Sequence, residues 1–359
     1  QSLSPDKCFP NRIDEINVLT DAMRMNPADY KAPYYLGNFW YAHRRYEEAI
    51  SCWEKSVEIN NQFPTALRNL SLAYYNKRNK KEEARQLLET DSRIFMELDQ
   101  LYKKMGRAHA ERLALLEEHL DLVEQRDDLC IERITLYNLL GDYEKAKDLI
   151  SNRKFHPWEG GEGKVTGQYI LCRVELAKKA IKENRYSEAV ALLKETEFYP
   201  HNLGEGKLSN AEENEVDYYK GIAYQKLGND AESTKYLMKA TQGSTEPQQA
   251  FYYNDQQPDK IFYQGLAWRA LGEENKARSR FNKLIDHGKK HLFDDCKIDY
   301  FAVSLPELAI WEDNLNIRNQ IHCYYVMALG YSGLGKEELA EEYYEKVKRL
   351  DVNKQVFRM

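Results

Sequence analysis

Glycine and proline are scarce in this sequence, which has 18 glycines and 10 prolines among 359 residues, whereas average proteins hold roughly 12% of the two together. This scarcity excludes collagen-like and proline-rich architectures. No apolar run reaches the roughly 18 residues that a membrane-spanning helix requires. Basic residues are not in excess, since 52 Lys and Arg face 58 Asp and Glu for a net charge of −6. This balance argues against nucleic acids and anionic membranes as partners.

The residue patterns of common catalytic and cofactor sites are also lacking. The sequence has no phosphate-binding loop, dinucleotide-binding fingerprint or Ser/His/Asp triad order, so we predict no catalytic residue, cofactor or metal. Its cysteines form no CxxC pair and no Cys/His cluster at zinc spacing. We therefore expect free thiols in a reducing, cytoplasmic compartment for Cys8, Cys52, Cys130, Cys172, Cys296 and Cys323. The chain begins at Gln1, without Met or an apolar leader, and we expect it to be a piece of a longer product.

Tyrosine is abundant, with 26 residues, and aromatic residues recur in phase with small ones. In the first copy the small residues are Gly37 and Ala49, and the aromatic ones are Trp40 and Trp53. Two antiparallel helices cross closely only where a side chain is small, and aromatic rings fill the space beside the crossing. The same spacing recurs in copies that start near residues 64, 91, 127, 170, 214, 258 and 321. The pattern resembles the tetratricopeptide repeat.

This resemblance implies an all-α, right-handed superhelical solenoid of about eight tetratricopeptide-like helix pairs. It predicts that Ala277 and Ala340 are buried at helix crossings, opposite Gly265 and Ala328. We expect a lead-in helix within residues 1–29, regular repeats over 30–126, and repeats with insertions over 127–359. The insertions are expected at residues 155–164, 198–207, 243–257 and 291–320, the last with a short helix near 306–313.

The first two insertions are related in sequence. Residues 155–164 and 198–207 share the pattern F-x-P-x-x-x-G-E-G-K. Either a duplicated loop has not diverged, or the loop performs one task twice. In a solenoid such connections emerge along one edge, so we expect the insertions to form a docking or ligand-binding edge. Its candidate residues are His156, Trp158, Glu162, Tyr199, His201, Glu205, Tyr252, Tyr253, Asn254 and Asp255.

Each of these candidates also has a purely structural interpretation. Glu162 and Glu205 are either an acid/base pair of the glycosidase type or helix caps, and capping is favoured. The loop aromatics either bind a sugar or a protein, or fold back onto the solenoid. The motif glycines are expected to supply positive φ before the next helix.

Three stretches resemble a more particular family. FHPWEGGEGK, FYYNDQQPDKIFYQGLA and DYFAVSLPELAIWEDNLNIRNQIHC are similar to the C-terminal repeats of large bacterial proteins with a DUF5107 domain. This resemblance implies a scaffolding module of a carbohydrate-associated protein, whose partner is its own β-rich N-terminal region or another protein. One alternative is that the chain supplies substrate contacts to a glycan-active enzyme. A second alternative, a free-standing peptide receptor, is disfavoured by the mixed, aromatic residues of the first helices.

Overall fold

The computed structural model describes residues 5, 8–86, 92–158, 160–208, 211–249, 257–297, 311 and 314–355. The regular secondary-structure elements among these residues are all helices, as expected for an all-α repeat protein. They fall into two compact units, the first ending at Met105 and including Trp311, and the second comprising the other described residues. None of the described helices is long and apolar enough to cross a membrane.

The first unit holds a lead-in helix, two antiparallel helix pairs and one further helix. The ring of Trp53 fills the crossing of the first pair, because a Cβ on Gly37 would lie 2.4 Å from its Nε1. Trp53 Nε1 donates to the carbonyl oxygen of Tyr34 at 3.2 Å. The helices are α1 (Asp14–Met25), α2 (Lys31–Ala42), α3 (Tyr46–Ile59), α4 (Pro64–Arg78), α5 (Lys81–Arg85) and α6 (Ser92–Lys104).

The second unit begins with two helices, α7 and α8, and continues with five helix pairs, α9/α10 to α17/α18. The first helix of each pair packs against the first helix of the next pair. The bounds are α7 (His109–Glu118), α8 (Leu120–Val123), α9 (Asp127–Leu140), α10 (Tyr143–Asn152), α11 (Lys164–Lys182), α12 (Tyr186–Lys194), α13 (Asn214–Lys226), α14 (Asp230–Ala240), α15 (Pro258–Ala270), α16 (Glu274–His291), α17 (Leu315–Gly333) and α18 (Glu337–Leu350).

The predicted crossing residues are confirmed in this unit. Ala277 and Ala328 are fully buried and Ala340 is 2% exposed. A Cβ on Gly265 would lie 2.4 Å from the ring of Phe281. Small residues therefore face aromatic ones where the repeat pattern requires it.

Two repeats begin earlier than the sequence spacing indicates. Helix α11 starts at Lys164 instead of residue 170, because Gly163 at φ 73° brings the chain straight from the loop into the helix. Helix α17 starts at Leu315 instead of residue 321, because the side chain of Asn314 accepts the N–H groups of Asn316 and Ile317. The repeat expected near residue 91 is divided, with α6 in the first unit and α7 in the second.

All six cysteines are free thiols, and four of them are buried. Parts of the third and fourth insertions lie outside the described residues, which lack 250–256 and 298–310. The short helix expected near 306–313 falls almost entirely there.

Candidate functional site

The first two insertions contact each other directly. The backbone N–H of Phe155 donates to the carbonyl oxygen of Asn202 at 2.7 Å. The side-chain amide of Asn202 adds two more bonds between the loops. It donates to the carbonyl oxygens of Ile150 at 2.9 Å and Arg153 at 2.8 Å, just before the first motif. Gly204 packs closely against the backbone of Phe155, since a Cβ on Gly204 would lie 2.8 Å from the Phe155 carbonyl oxygen. The second loop therefore covers the first.

The two phenylalanines of the shared motif have opposite environments. Phe155 is 1% exposed, whereas Phe198 is 80% exposed. Leu208, which follows the second motif, is also exposed, at 72%. Phe198 and Leu208 are two of several large apolar side chains that lie exposed among the described residues, with Phe9 and Phe293 among the others.

Asp127, at the start of α9, anchors the first loop. Its carboxylate accepts two bonds from the Arg153 guanidinium at 2.7 and 3.0 Å. It also accepts the backbone N–H of His156 at 2.9 Å and lies 3.0 Å from His156 Nδ1. Burial acts to raise the pKa of Asp127, but these bonds outweigh it and hold the pKa below its usual value. His156 is therefore tied to the chain on one side although its ring is exposed.

Glu213 anchors the second loop from the residue before α13. The Tyr199 hydroxyl donates to its carboxylate at 3.1 Å, and Lys207 pairs with the same carboxylate. Burial, assisted by the charge of Glu213, raises the pKa of Tyr199 above its usual value, so the hydroxyl stays a donor. The Tyr199 ring also meets Tyr169 of α11 edge-on at 6.4 Å between centroids. Tyr199 therefore serves the fold of the loop.

The matched glutamates also differ. The Glu205 carboxylate accepts the backbone N–H of Gly163 at 3.1 and 3.2 Å and the Thr166 hydroxyl at 3.2 Å. It thus caps α11, the first helix of the preceding pair, where the helix dipole favours a carboxylate. Glu162 is exposed. This geometry supports capping by Glu205 over a role in an acid/base pair.

The remaining candidates fall into two groups. Trp158 is half-buried and folds back over its own loop, because a Cβ on Gly161 would lie 2.2 Å from its indole. His201 is exposed at the start of a short 3₁₀ turn, His201–Leu203. Outside the described residues lie Tyr252, Tyr253, Asn254 and Asp255. The described residues contain no cluster of three His, Cys, Asp or Glu side chains suited to a metal.

Sequence reasoning missed Phe198 and Leu208 as candidates. Because Phe198 matches Phe155 in the motif, the two appeared equivalent. One difference between the two copies is visible in the sequence: the third insertion, at residues 243–257, does not repeat the motif, so the second loop is not followed by another copy of it as the first loop is.

No protein-family model matches the sequence. Among solved structures, the chain is similar to YrrB, a TPR protein with an unusual peptide-binding site, at 14% identity and TM-score 0.33, covering 62% of this chain and 91% of that one. It is similar to Naa15/Naa10 bound to HypK at 12% identity and TM-score 0.41, and the match covers 94% of this chain and 61% of that one. A tetratricopeptide repeat protein from Parabacteroides merdae follows at 16% identity and TM-score 0.26, covering 75% and 83%.

Proposed function

We propose that this chain is a protein-interaction module that docks its partner on the edge formed by the first two inserted loops, with Phe198 as the anchor. The observation that carries the proposal is the 80% exposure of Phe198 on a loop fixed by side-chain bonds at both ends. Aromatic anchors contribute a large share of the binding energy in protein interfaces. A loop that is already ordered loses little conformational entropy when a partner binds.

A protein partner is favoured over a glycan by the polar groups of the edge. Sugar recognition combines a ring face with several hydrogen-bonding side chains. Here Tyr199 and Glu205 already use their polar atoms within the chain. The exposed side chains of the edge include the apolar Phe198 and Leu208, beside the polar His156, Glu162 and His201. An apolar anchor surrounded by polar side chains is typical of a protein interface, and it gives no support to catalysis by this chain.

The partner we propose is the β-rich region that precedes such repeats in the bacterial family with a DUF5107 domain. The support is the resemblance of three sequence stretches, one of which is the first inserted loop itself. On this proposal the chain is the scaffolding part of a larger, carbohydrate-associated protein. The enzymatic or sugar-binding work would then belong to the β-rich region.

Calorimetry against the separately expressed β-rich region tests the proposal. Replacing Phe198 by Ala should weaken binding by about 2 kcal/mol or more, because a buried anchor is lost. Phe9 is equally exposed, at 78%, but lies in the other unit, so Phe9→Ala is the matched control and should bind like the intact chain. Equal affinity of the Phe198→Ala and Phe9→Ala variants would refute docking through this edge. Binding of oligosaccharides by the isolated chain, lost in Phe198→Ala, would instead favour the glycan alternative.

A further inference from the structure

A short segment after α18 is held on helices far away in the sequence. Residues 351–355 turn back at once, with the Asn353 N–H donating to the Asp351 carboxylate at 2.8 Å. None of the five residues is fully exposed, and Asn353 is 8% exposed. The segment thus lies within the second unit instead of extending α18.

The segment is held by its side-chain amides. Asn353 Oδ1 accepts from Arg112 Nη1 of α7 at 2.7 Å. Gln355 and Gln168 of α11 exchange two bonds, at 3.1 and 3.2 Å. These two contacts, made by residues two positions apart, link the segment to partners 241 and 187 residues away.

The side chains that receive the amides are themselves held in place. Arg112 is fully buried, and its Nη2 donates to Glu132 Oε1 of α9 at 2.6 Å. Gln168 Oε1 also accepts from Asn138 of α9 at 2.8 Å. We call Arg112, Glu132, Asn138 and Gln168 the amide site. A buried guanidinium that loses a partner is costly, so this site favours being filled.

The segment fills its surroundings incompletely. A cavity of about 300 Å³ lies between the segment and helices α9, α11 and α18. Val352 borders it together with Leu139, Leu171 and Tyr344. A larger apolar side chain in the place of Val352 would occupy this space.

We propose that the amide site recognises a peptide segment of the form apolar-Asn-x-Gln, and that residues 351–355 are its intramolecular occupant. The recognition uses side-chain amides, so any chain that offers them at this spacing can replace the segment. A partner with a larger apolar residue before its Asn would have an advantage, because it would also fill the cavity. This site is separate from the loop edge, and the two proposals can fail independently.

Fluorescence anisotropy with a labelled peptide of residues 349–355 tests the proposal. A tethered segment competes at an effective concentration in the millimolar range, so the intact chain should bind the peptide weakly. In the intact chain carrying Asn353→Ala and Gln355→Ala, the occupant is weakened while the amide site is unchanged. We expect this variant to bind the peptide at least tenfold more tightly. Glu338→Ala, at an exposed position of α18, is the matched control and should bind as weakly as the intact chain.

Two further measurements test whether the peptide binds at the amide site and whether its apolar residue enters the cavity. Adding Gln168→Ala to the double variant should abolish the gain, whereas Phe198→Ala should leave it intact. A peptide with Leu in place of Val352 should bind about fourfold more tightly, from the roughly 0.8 kcal/mol of one buried methylene. If the double variant does not fold, Gln355→Ala alone should still bind the peptide about threefold more tightly than the intact chain. A double variant that folds but binds the peptide no better than the Glu338→Ala control would overturn the proposal.

Discussion

The two inserted loops carry the same motif but play complementary parts. Phe155 of the first loop is buried, whereas Phe198 of the second is exposed. The glycines differ too: the first loop has positive φ at Gly160 and Gly163, and the second only at Gly204. The second loop packs on the first and bonds to its backbone through Asn202. A repeated motif therefore does not fix a conformation, because the two copies make different contacts with the rest of the chain.

The same contrast holds where the loops end. Helix α11 begins at Lys164, the last residue of the first motif. Helix α13 begins only at Asn214, well after Lys207, the last residue of the second motif. The Lys207 ammonium donates to the carbonyl oxygen of Thr196 at 2.9 Å and pairs with Glu213, tying the loop back to the end of α12. One matched lysine starts a helix and the other tethers a loop.

The largest expected effect separates the two phenylalanines. Phe155→Ala should reduce the free energy of unfolding by about 3–5 kcal/mol, because it empties a buried site. Phe198→Ala should change it by less than about 0.5 kcal/mol, since an exposed side chain loses few contacts. Urea denaturation of the intact chain with each substitution measures both. Equal losses in the two variants would show that the loops are equivalent after all.

The sequence predicts the repeats better than the loops for a physical reason. Crossing residues such as Gly265 and Phe281 obey a local pattern, because each helix pair must solve the same packing problem. The roles of the loop residues depend on contacts with residues distant in the sequence, which the spacing of the repeats does not reveal. Glu205 caps a helix that begins 41 positions earlier, and Asp127 holds a loop 29 positions later. The sequence could predict which residues lie in the loops. It could not predict which of them, such as Tyr199 and Glu205, use their polar atoms in bonds within the chain.

An intermediate effect is expected from the anchor of the first loop. Since the pKa of Asp127 is lowered in the folded chain, its carboxylate stabilises the fold above about pH 4, the usual pKa of Asp. That contribution is lost as the pH falls through the folded pKa. Asp127→Asn should therefore cost about 2 kcal/mol at pH 7, the scale of bonds to a charged group, and less at pH 2.

Urea denaturation at the two pH values measures this difference. The control is Asp148→Asn, at an exposed position of the neighbouring helix α10, which should have a small effect at both. A loss from Asp127→Asn that is the same at both pH values would contradict an ionic anchor.

The smallest effect separates the two glutamates of the motif. Glu205 accepts two groups at the start of α11, the Gly163 N–H and the Thr166 hydroxyl, so Glu205→Ala should cost about 1 kcal/mol, as for other capping side chains. Glu162→Ala, at the matched but exposed position, should lie within about 0.5 kcal/mol of the intact chain. Hydrogen exchange of the first amides of α11 should accelerate in the Glu205 variant alone, because fraying there is local. If both substitutions accelerate exchange equally, the two glutamates share one role and the asymmetry of the loops does not extend to them.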